Sequence, residues 1–370
     1  MRHLFFVLCL LSLPAVADVP PRFPAGAIWH QRIDSAPLHP SSASMIATLD
    51  GLNGWGPVAG VSHRMHIDFS IHVRRMDAME SAPMLPVVEP APFDYFLPDC
   101  EALGTTMPVP NDAAFEGETG QTCDRENADC HLIVERGGLL YELYNGTRSS
   151  NELVALCLAI WDLNVIYPAE GRGDHCTSAD AAGFPMAPLM PSPDGVQAAI
   201  DAGSDSDLGH AIRFVLPNAR MASDSGLAGA VNGRLYVRPA THAGGPSGPV
   251  GSVPYGVRMR LRADFPMAGY NAAAQVILRT MQRYGIVLSD GGNIALTFAS
   301  DRHNATTWSA LGITPQVFWN GSAGNRTPVR VTDFAVVDTG ARIAETYDCV
   351  RTDIEPGAAL FRDGFEAAAP

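Results

Sequence analysis

The sequence predicts a mainly β fold, a β-sandwich or jelly-roll-like domain carrying one or two packed helices. Three observations lead there. Charged residues make up only 17% of the chain, while 35 glycines and 29 prolines cut it into short segments, which suits strands and turns better than a helical bundle. Residues 67–73 and 257–262 alternate apolar and polar side chains with a period of two. A strong helical period with caps at both ends is confined to residues 271–285. Hydrophobic residues reach 46%, enough to bury a core and too many for a disordered chain.

Residues 1–17 read as an export signal: Arg2 and His3, an apolar run over 4–13, then the small-residue site Ala15-Val16-Ala17. The expected organisation is therefore a signal peptide over 1–17, one secreted β-rich domain over 18–350, and a flexible tail over 351–370. No later stretch is long and apolar enough to span a bilayer, so a secreted, periplasmic or cell-surface protein without a membrane span is expected. With 25 basic against 39 acidic residues, net −14, nucleic acid is not an expected partner. Six cysteines follow the signal, and an even count in an oxidising compartment implies three disulfides. Proximity in sequence favours Cys123–Cys130 and Cys157–Cys176, which leaves Cys100–Cys349.

In chain order, residues 23–40 form a proline-punctuated extended segment and 41–52 a short helix. Residues 63–75 read as a strand. Ile67, Phe69, Ile71 and Val73 form its apolar face; His66, Asp68, Ser70 and His72 form a polar face able to hold a metal or a proton relay. A solvated sheet face is the favoured reading. Residues 82–110 form a proline-rich covering loop. Between Cys123 and Cys130, Asp124, Glu126, Asn127 and Asp129 offer oxygen ligands for calcium, but the spacing and turn glycine of an EF-hand are missing. A polar turn closed by a disulfide is preferred, and no cofactor is expected.

Residues 131–144 form a hairpin turning at Arg136-Gly137-Gly138. Residues 153–164 read as a buried strand, with a helix as the alternative that periodicity leaves open, 171–183 as a glycine-bounded polar loop, 196–202 as one or two helical turns, and 208–216 and 235–239 as strands. The arginine strand follows, with Arg258, Arg260 and Arg262 on one face and Val257, Met259 and Leu261 on the other. Asn271 caps a helix whose buried face is Ala274, Ile277, Leu278, Met281 and Tyr284, and Gly285 ends it. Residues 286–288 and 294–298 then flank a turn over 289–293, read as a second hairpin. A late strand covers 329–337.

Several stretches, FPAGAIWHQRIDSAPLHP, CHLIVERGGLLYELY, RGDHCTSADAAGFPMAPLM, LGHAIRFVLPNAR, YVRPATHAGG, YGVRMRLRADF and QRYGIVLSDGGN, resemble an uncharacterised group of secreted bacterial proteins. The closing LFRDGFE is similar to short tails on other exported proteins of Gram-negative bacteria. The resemblance implies an extracellular protein and carries no catalytic residue with it.

The functional expectation is a carbohydrate-active enzyme, a polysaccharide hydrolase or lyase acting on an extracellular polysaccharide. Asp174 and Asp180 are the candidate carboxyl pair for glycoside hydrolysis, with Asp207 in reserve. His210 and His242 are candidate bases. Arg258 and Arg260 are candidate clamps for an anionic sugar, with Tyr255 as a further proton-transfer group. Each has a structural alternative: turn chemistry for the aspartates, a satisfied core position for His210, a salt-bridged sheet face for the arginines. The second functional expectation is a non-catalytic glycan- or envelope-binding surface protein, stacking sugars on Trp29, Trp55, Trp161, Trp308 or Trp319. No GxSxG elbow and no phosphate-binding glycine motif occurs.

Overall fold

Strands carry most of the regular structure, as the alternation requires. The computed structural model describes residues 22–77, 79–89, 95–319 and 326–352; the expected signal peptide and all but the start of the expected tail lie outside them. The strands are β1 (Ile67–Asp68), β2 (Val73–Met76), β3 (Met84–Val88), β4 (Thr106–Pro108), β5 (Leu132–Arg136), β6 (Leu139–Tyr144), β7 (Thr147–Ser149), β8 (Glu152–Val154), β9 (Cys157–Asp162), β10 (Gly173–Asp174), β11 (Ile212–Leu216), β12 (Leu235–Tyr236), β13 (Arg258–Leu261), β14 (Ile286–Gly291), β15 (Leu296–Thr297), β16 (Phe334–Val336), β17 (Ile343–Ala344) and β18 (Val350–Arg351). The helices are α1 (Ser42–Gly51), α2 (Pro193–Ala202) and α3 (Ala272–Arg283).

A six-stranded mixed sheet, ordered β1-β15-β11-β14-β13-β16, forms the main layer. Helix α3 packs on β13, α1 on β16, and α2 on α3. Asn271 Oδ1 accepts from Ala274 N at 2.9 Å, so the expected cap forms, and Ala274, Ile277, Leu278 and Met281 are buried. A second sheet, β2-β5-β6-β9, contains the hairpin expected at 131–144. Leu132, Val134 and Leu143 face one core, which they share with Leu85 and Met107 of the β4-β3-β8-β7 sheet. Ile133, Leu140 and Trp161 face the larger core under the main sheet. The hairpin sheet is thus apolar on both faces, which explains why residues 131–134 and 157–161 read as apolar runs.

Three expectations change. The strand expected over 63–75 is broken into β1 and β2, because β1 pairs with β15 in the main sheet and β2 with β5 in the hairpin sheet, while the Asp68 carboxylate takes up Ser70 N at 3.0 Å between them. The hairpin expected after α3 does not form. Strand β14 pairs with β11 on one side and β13 on the other, so β15 is displaced across β11 to its far edge. The disulfides are Cys100–Cys157, Cys123–Cys130 and Cys176–Cys349, so one of the three expected pairs forms. The segment holding Cys100 runs beside β9, with Glu101 N donating to Leu158 O at 2.9 Å. Strand β10 pairs antiparallel with β18, which brings Cys176 to Cys349. Nearness in sequence misled because β9 and β10 lead to different sheets. The bonds close loops of 57 and 173 residues, constraints of about 4 and about 5 kcal/mol in a chain-entropy account.

Candidate active site

Three loops distant in sequence meet at the end of β14. Ala182 N donates to Ser289 O at 2.8 Å, and Thr241 N donates to Ala182 O at 3.0 Å. Thr241 Oγ1 donates to Cys176 O at 2.9 Å. Gly183 makes this approach possible: its φ is +76°, and a Cβ there would stand 2.1 Å from Thr241 Oγ1. The glycine-bounded loop over 171–183, the 239–245 loop and the strand end at 289–291 form one wall.

Two hollows open along that wall and meet at Asp290 and Gly291. The larger, about 540 Å³, is lined by Tyr95, Tyr144, Tyr255 and Tyr347, with His242, Arg234 and Asn218 among them. The smaller, about 170 Å³, is lined by Asp68, Glu116, Asp129, His131 and Arg213.

The small hollow holds a chain of charged hydrogen bonds. Ser70 Oγ lies 2.6 Å from Asp68 Oδ2 and 3.0 Å from Glu116 Oε1. Glu116 Oε2 lies 2.7 Å from His131 Nδ1, and His131 Nε2 donates to Ala179 O at 3.0 Å. Both imidazole nitrogens face acceptors, so the ring is held as the cation. Burial works against both charges, but each ion outweighs it at the other, leaving His131 raised to about 9 and Glu116 lowered to about 2. Burial raises Asp68, with Ser70 opposing and Glu116 adding to the rise.

Asp180 is fully buried, and its Oδ2 accepts from Arg213 Nη2 at 2.7 Å and Nε at 3.2 Å. Burial would lower Arg213, but the Asp180 charge outweighs it and raises the guanidinium instead. Asp290 is half-buried nearby, its Oδ2 accepting from Ala181 N at 3.3 Å and its Oδ1 from Gly291 N at 2.6 Å. Burial first, and then the charge of Asp180, push Asp290 up to about 7. Burial raises Asp180 as well, against the charge of Arg213 bound directly to it. Because Arg213 favours the ionised form of Asp180 and makes no bond to Asp290 among the described residues, the proton of the pair belongs on Asp290.

His242 Nδ1 donates to the carbonyl of Ala181 at 2.7 Å, which selects the tautomer whose lone pair sits on Nε2, and among the described residues no hydrogen bond reaches that Nε2. Tyr347 lies against this ring, centroids 5.2 Å apart, and its hydroxyl donates to Ala243 O or Gly244 O at 3.1 and 3.0 Å. Burial pushes the Tyr255 hydroxyl well above its ordinary value, so it stays protonated.

Of the sequence candidates, Asp180 and His242 meet at this cleft, with Tyr255. Asp174 is placed in β10, paired with Arg238 and 3.4 Å from Tyr236 Oη. His210 is buried and donates Nδ1–H to Ala211 O at 2.8 Å; burial, and then Arg22, lower it to about 3. Arg258 is buried and donates to Tyr284 O, Ile28 O and Gln31 O at 2.8, 3.2 and 2.8 Å. Arg260 donates to the carbonyls of Ile33, Asp34 and Ala36. Both arginines therefore staple residues 28–36 to β13, away from the cleft. Asp207 pairs with Arg283 at 2.9 Å. Trp29, Trp55, Trp161 and Trp308 are core residues, and Trp319 is half-buried with the Arg64 guanidinium 3.8 Å from its ring centroid.

Sequence reasoning missed Asp290, Glu116, His131, Arg213 and Arg234. Asp290 sits in a DGG run that reads as a turn, and His131 opens an apolar strand. The one legible signal was the Asp68–Ser70 face, where a relay was considered and a solvated face preferred. In the Cys123–Cys130 loop, Asp124 is occupied internally, accepting from Glu126 N at 3.2 Å and Asn127 Nδ2 at 2.8 Å. Among the described residues no group of three or more histidine, cysteine or acidic side chains is placed to hold a metal. No family model matches the chain, and neither a curated protein nor a solved structure is significantly similar to it.

Proposed function

We propose that the protein is an exported carbohydrate-active enzyme that cleaves a glycosidic link in this cleft, with Asp290 as the proton donor. The observation that carries the reading is a pair of groups on the wall of one hollow, both held by Ala181: a carboxyl raised to about 7 that accepts from the Ala181 N–H, and a histidine whose Nδ1 donates to the Ala181 carbonyl. An acid that keeps its proton near neutrality can protonate a departing sugar oxygen, and an imidazole lone pair on the same wall can take a proton from that sugar. Four tyrosines line the larger hollow. Such rings combine an apolar face for a sugar with a hydroxyl for hydrogen bonding. Arg213 holds Asp180 ionised, and that charge keeps Asp290 protonated.

Three disulfides accord with export, and no helix among the described residues is long and apolar enough to cross a membrane. The test is the release of reducing ends from a panel of neutral and acidic polysaccharides by the wild-type protein and by Asp290→Asn. New ends from the wild type and a loss of roughly 100-fold or more in the variant support the reading. Equal turnover by both proteins sinks the assignment of Asp290. Retention of a polysaccharide without product at any time identifies a binding module instead.

A further inference from the structure

The larger hollow has a cation on its wall that the fold does not neutralise. Arg234 donates to the Tyr347 hydroxyl, and its guanidinium carbon lies 5.3 Å from the centre of that ring. Among the described residues no carboxylate pairs with it. Arg213, the cation of the neighbouring hollow, is bound to Asp180. The carbonyls of Ile28 and Ile33 are among those that occupy Arg258 and Arg260. In a chain of net charge −14, a guanidinium left unpaired beside a cavity is complementary to an anion. The same hollow holds the bare Nε2 of His242, and Asp290 lies where it meets the smaller one.

We infer that the substrate is a uronate polymer and that the bond is broken by β-elimination, with Arg234 holding the sugar carboxylate, His242 taking the C5 proton and Asp290 protonating the leaving oxygen. This rests on the proposed function and specifies its substrate class and chemistry. The carboxylate on C5 is what makes that proton removable, and Arg234 offsets the charge that spreads onto the carboxylate as it leaves. The C5–H bond breaks and its proton goes to His242 Nε2. Its electron pair becomes the C4=C5 double bond. The C4–O4 bond breaks, and O4 departs with the electron pair of that bond and takes the Asp290 proton. No water is consumed and nothing is oxidised or reduced. Asp180 and Arg213 set the state of the donor without touching the sugar.

The experiment incubates the whole protein with uronate polymers of both C5 configurations and with the same polymers after carboxyl reduction. Reducing ends and the ultraviolet absorbance of the unsaturated uronate are followed together. One unsaturated end per new reducing end, with no attack on the reduced polymers, is the expected result. Reducing ends without the chromophore, or equal cleavage of the reduced polymers, overturns the inference and leaves glycosidic cleavage standing. No cleavage of any polymer overturns both. Arg234→Gln is expected to lower kcat/KM on uronates by roughly 10- to 100-fold, through both KM and kcat, with Arg234→Lys between it and the wild type. Binding of a uronate oligomer to the Asp290→Asn protein gives the same answer without turnover. Undiminished binding when Arg234→Gln is added removes Arg234 from the role.

Discussion

Glu116 and His131 form a buried ion pair at 2.7 Å, and the imidazolium donates its other N–H to Ala179, in the loop that carries Asp180. The pair therefore ties the hairpin strand β5 to the catalytic wall. Replacing His131 by Gln leaves the half-buried Glu116 carboxylate without its cation and should cost less than the ~3–5 kcal/mol of a fully buried pair, read as a lower denaturant midpoint. The pH signature follows from the two shifts. His131 is raised, so its contribution is complete below about pH 6.5 and lost as pH rises through about 9. Glu116 is lowered, so its contribution is complete above about 4.5 and lost as pH falls through about 2. The pair should stabilise most between pH 4.5 and 6.5, and a His131→Gln deficit that stays constant up to pH 10 would contradict it.

Asp290 must hold its proton to act, so kcat/KM should fall as pH rises through about 7. Burial is the largest cause of this value, and Asp180, Arg213, the amide of Gly291 and Asp129 adjust it in that order. Removing the negative charge with Asp180→Asn should move the alkaline limb to lower pH, since the first of these groups no longer holds the proton on Asp290. A limb that does not move would place the titration elsewhere.

Glu142 gives a stability prediction apart from the cleft. It is fully buried in β6 and accepts from Met186 N at 2.8 Å and Ala187 N at 2.9 Å, and burial raises it to about 7. A raised carboxyl stabilises below the unfolded value of about 4.5 and loses that contribution as pH rises through about 7. Glu142→Gln should flatten this decline. Thermal midpoints measured from pH 4 to 8 decide it; an unchanged slope counts against a protonated Glu142.

His210 acts in the opposite sense. Lowered to about 3, it stays neutral in the fold while the unfolded chain takes up a proton below about 6.5. Stability should therefore fall toward acid by about 1.4 kcal/mol per pH unit from this group, until pH approaches 3. A His210→Asn protein should show a shallower acid limb in denaturant titrations. Among the described residues His210 makes no hydrogen bond to a charged group, so a steeper limb would count against this reading.

The Cys176–Cys349 bond anchors the segment that carries Glu345 and Tyr347. Glu345 is fully buried and accepts from Ala243 N and Tyr347 N, both at 2.8 Å. A Cys176→Ser, Cys349→Ser protein should lose about 5 kcal/mol at most and should lose turnover out of proportion, because Tyr347 orients both His242 and Arg234. Turnover that tracks only the folded fraction would show that the wall survives without the bond.

The local signals in the chain were clear where one element decided its own shape. The Asn271 cap, the Gly137-Gly138 turn and the Cys123–Cys130 closure are all settled within a few residues. The strands were legible as strands, but their partners were not. Nothing in residues 286–298 tells that β11, seventy residues earlier, will lie between β14 and β15. The cleft was hidden for the same reason. Asp290 comes from the end of β14, and His242 and Asp180 from two loops, and their meeting depends on that strand order, with Gly183 and Thr241 interlocking across it. The arginine row stood out in sequence because three like charges alternate, yet backbone carbonyls on a separate segment satisfy two of them.

The stapling of residues 28–36 to β13 sets an order of assembly. The receiving guanidinium groups lie more than 220 residues later, with separations of 224 to 230 between partners. A chain made from its N-terminus must keep this segment undocked until nearly three quarters of it has emerged, with its carbonyls bonded only to water. Burying Arg258 without those carbonyls would strand a charge in the core, and burial already lowers it to about 10. The sheet thus cannot close over β13 until the first part of the chain returns to it, and a protein lacking residues 28–36 should stall as a collapsed, dye-binding state rather than fold short.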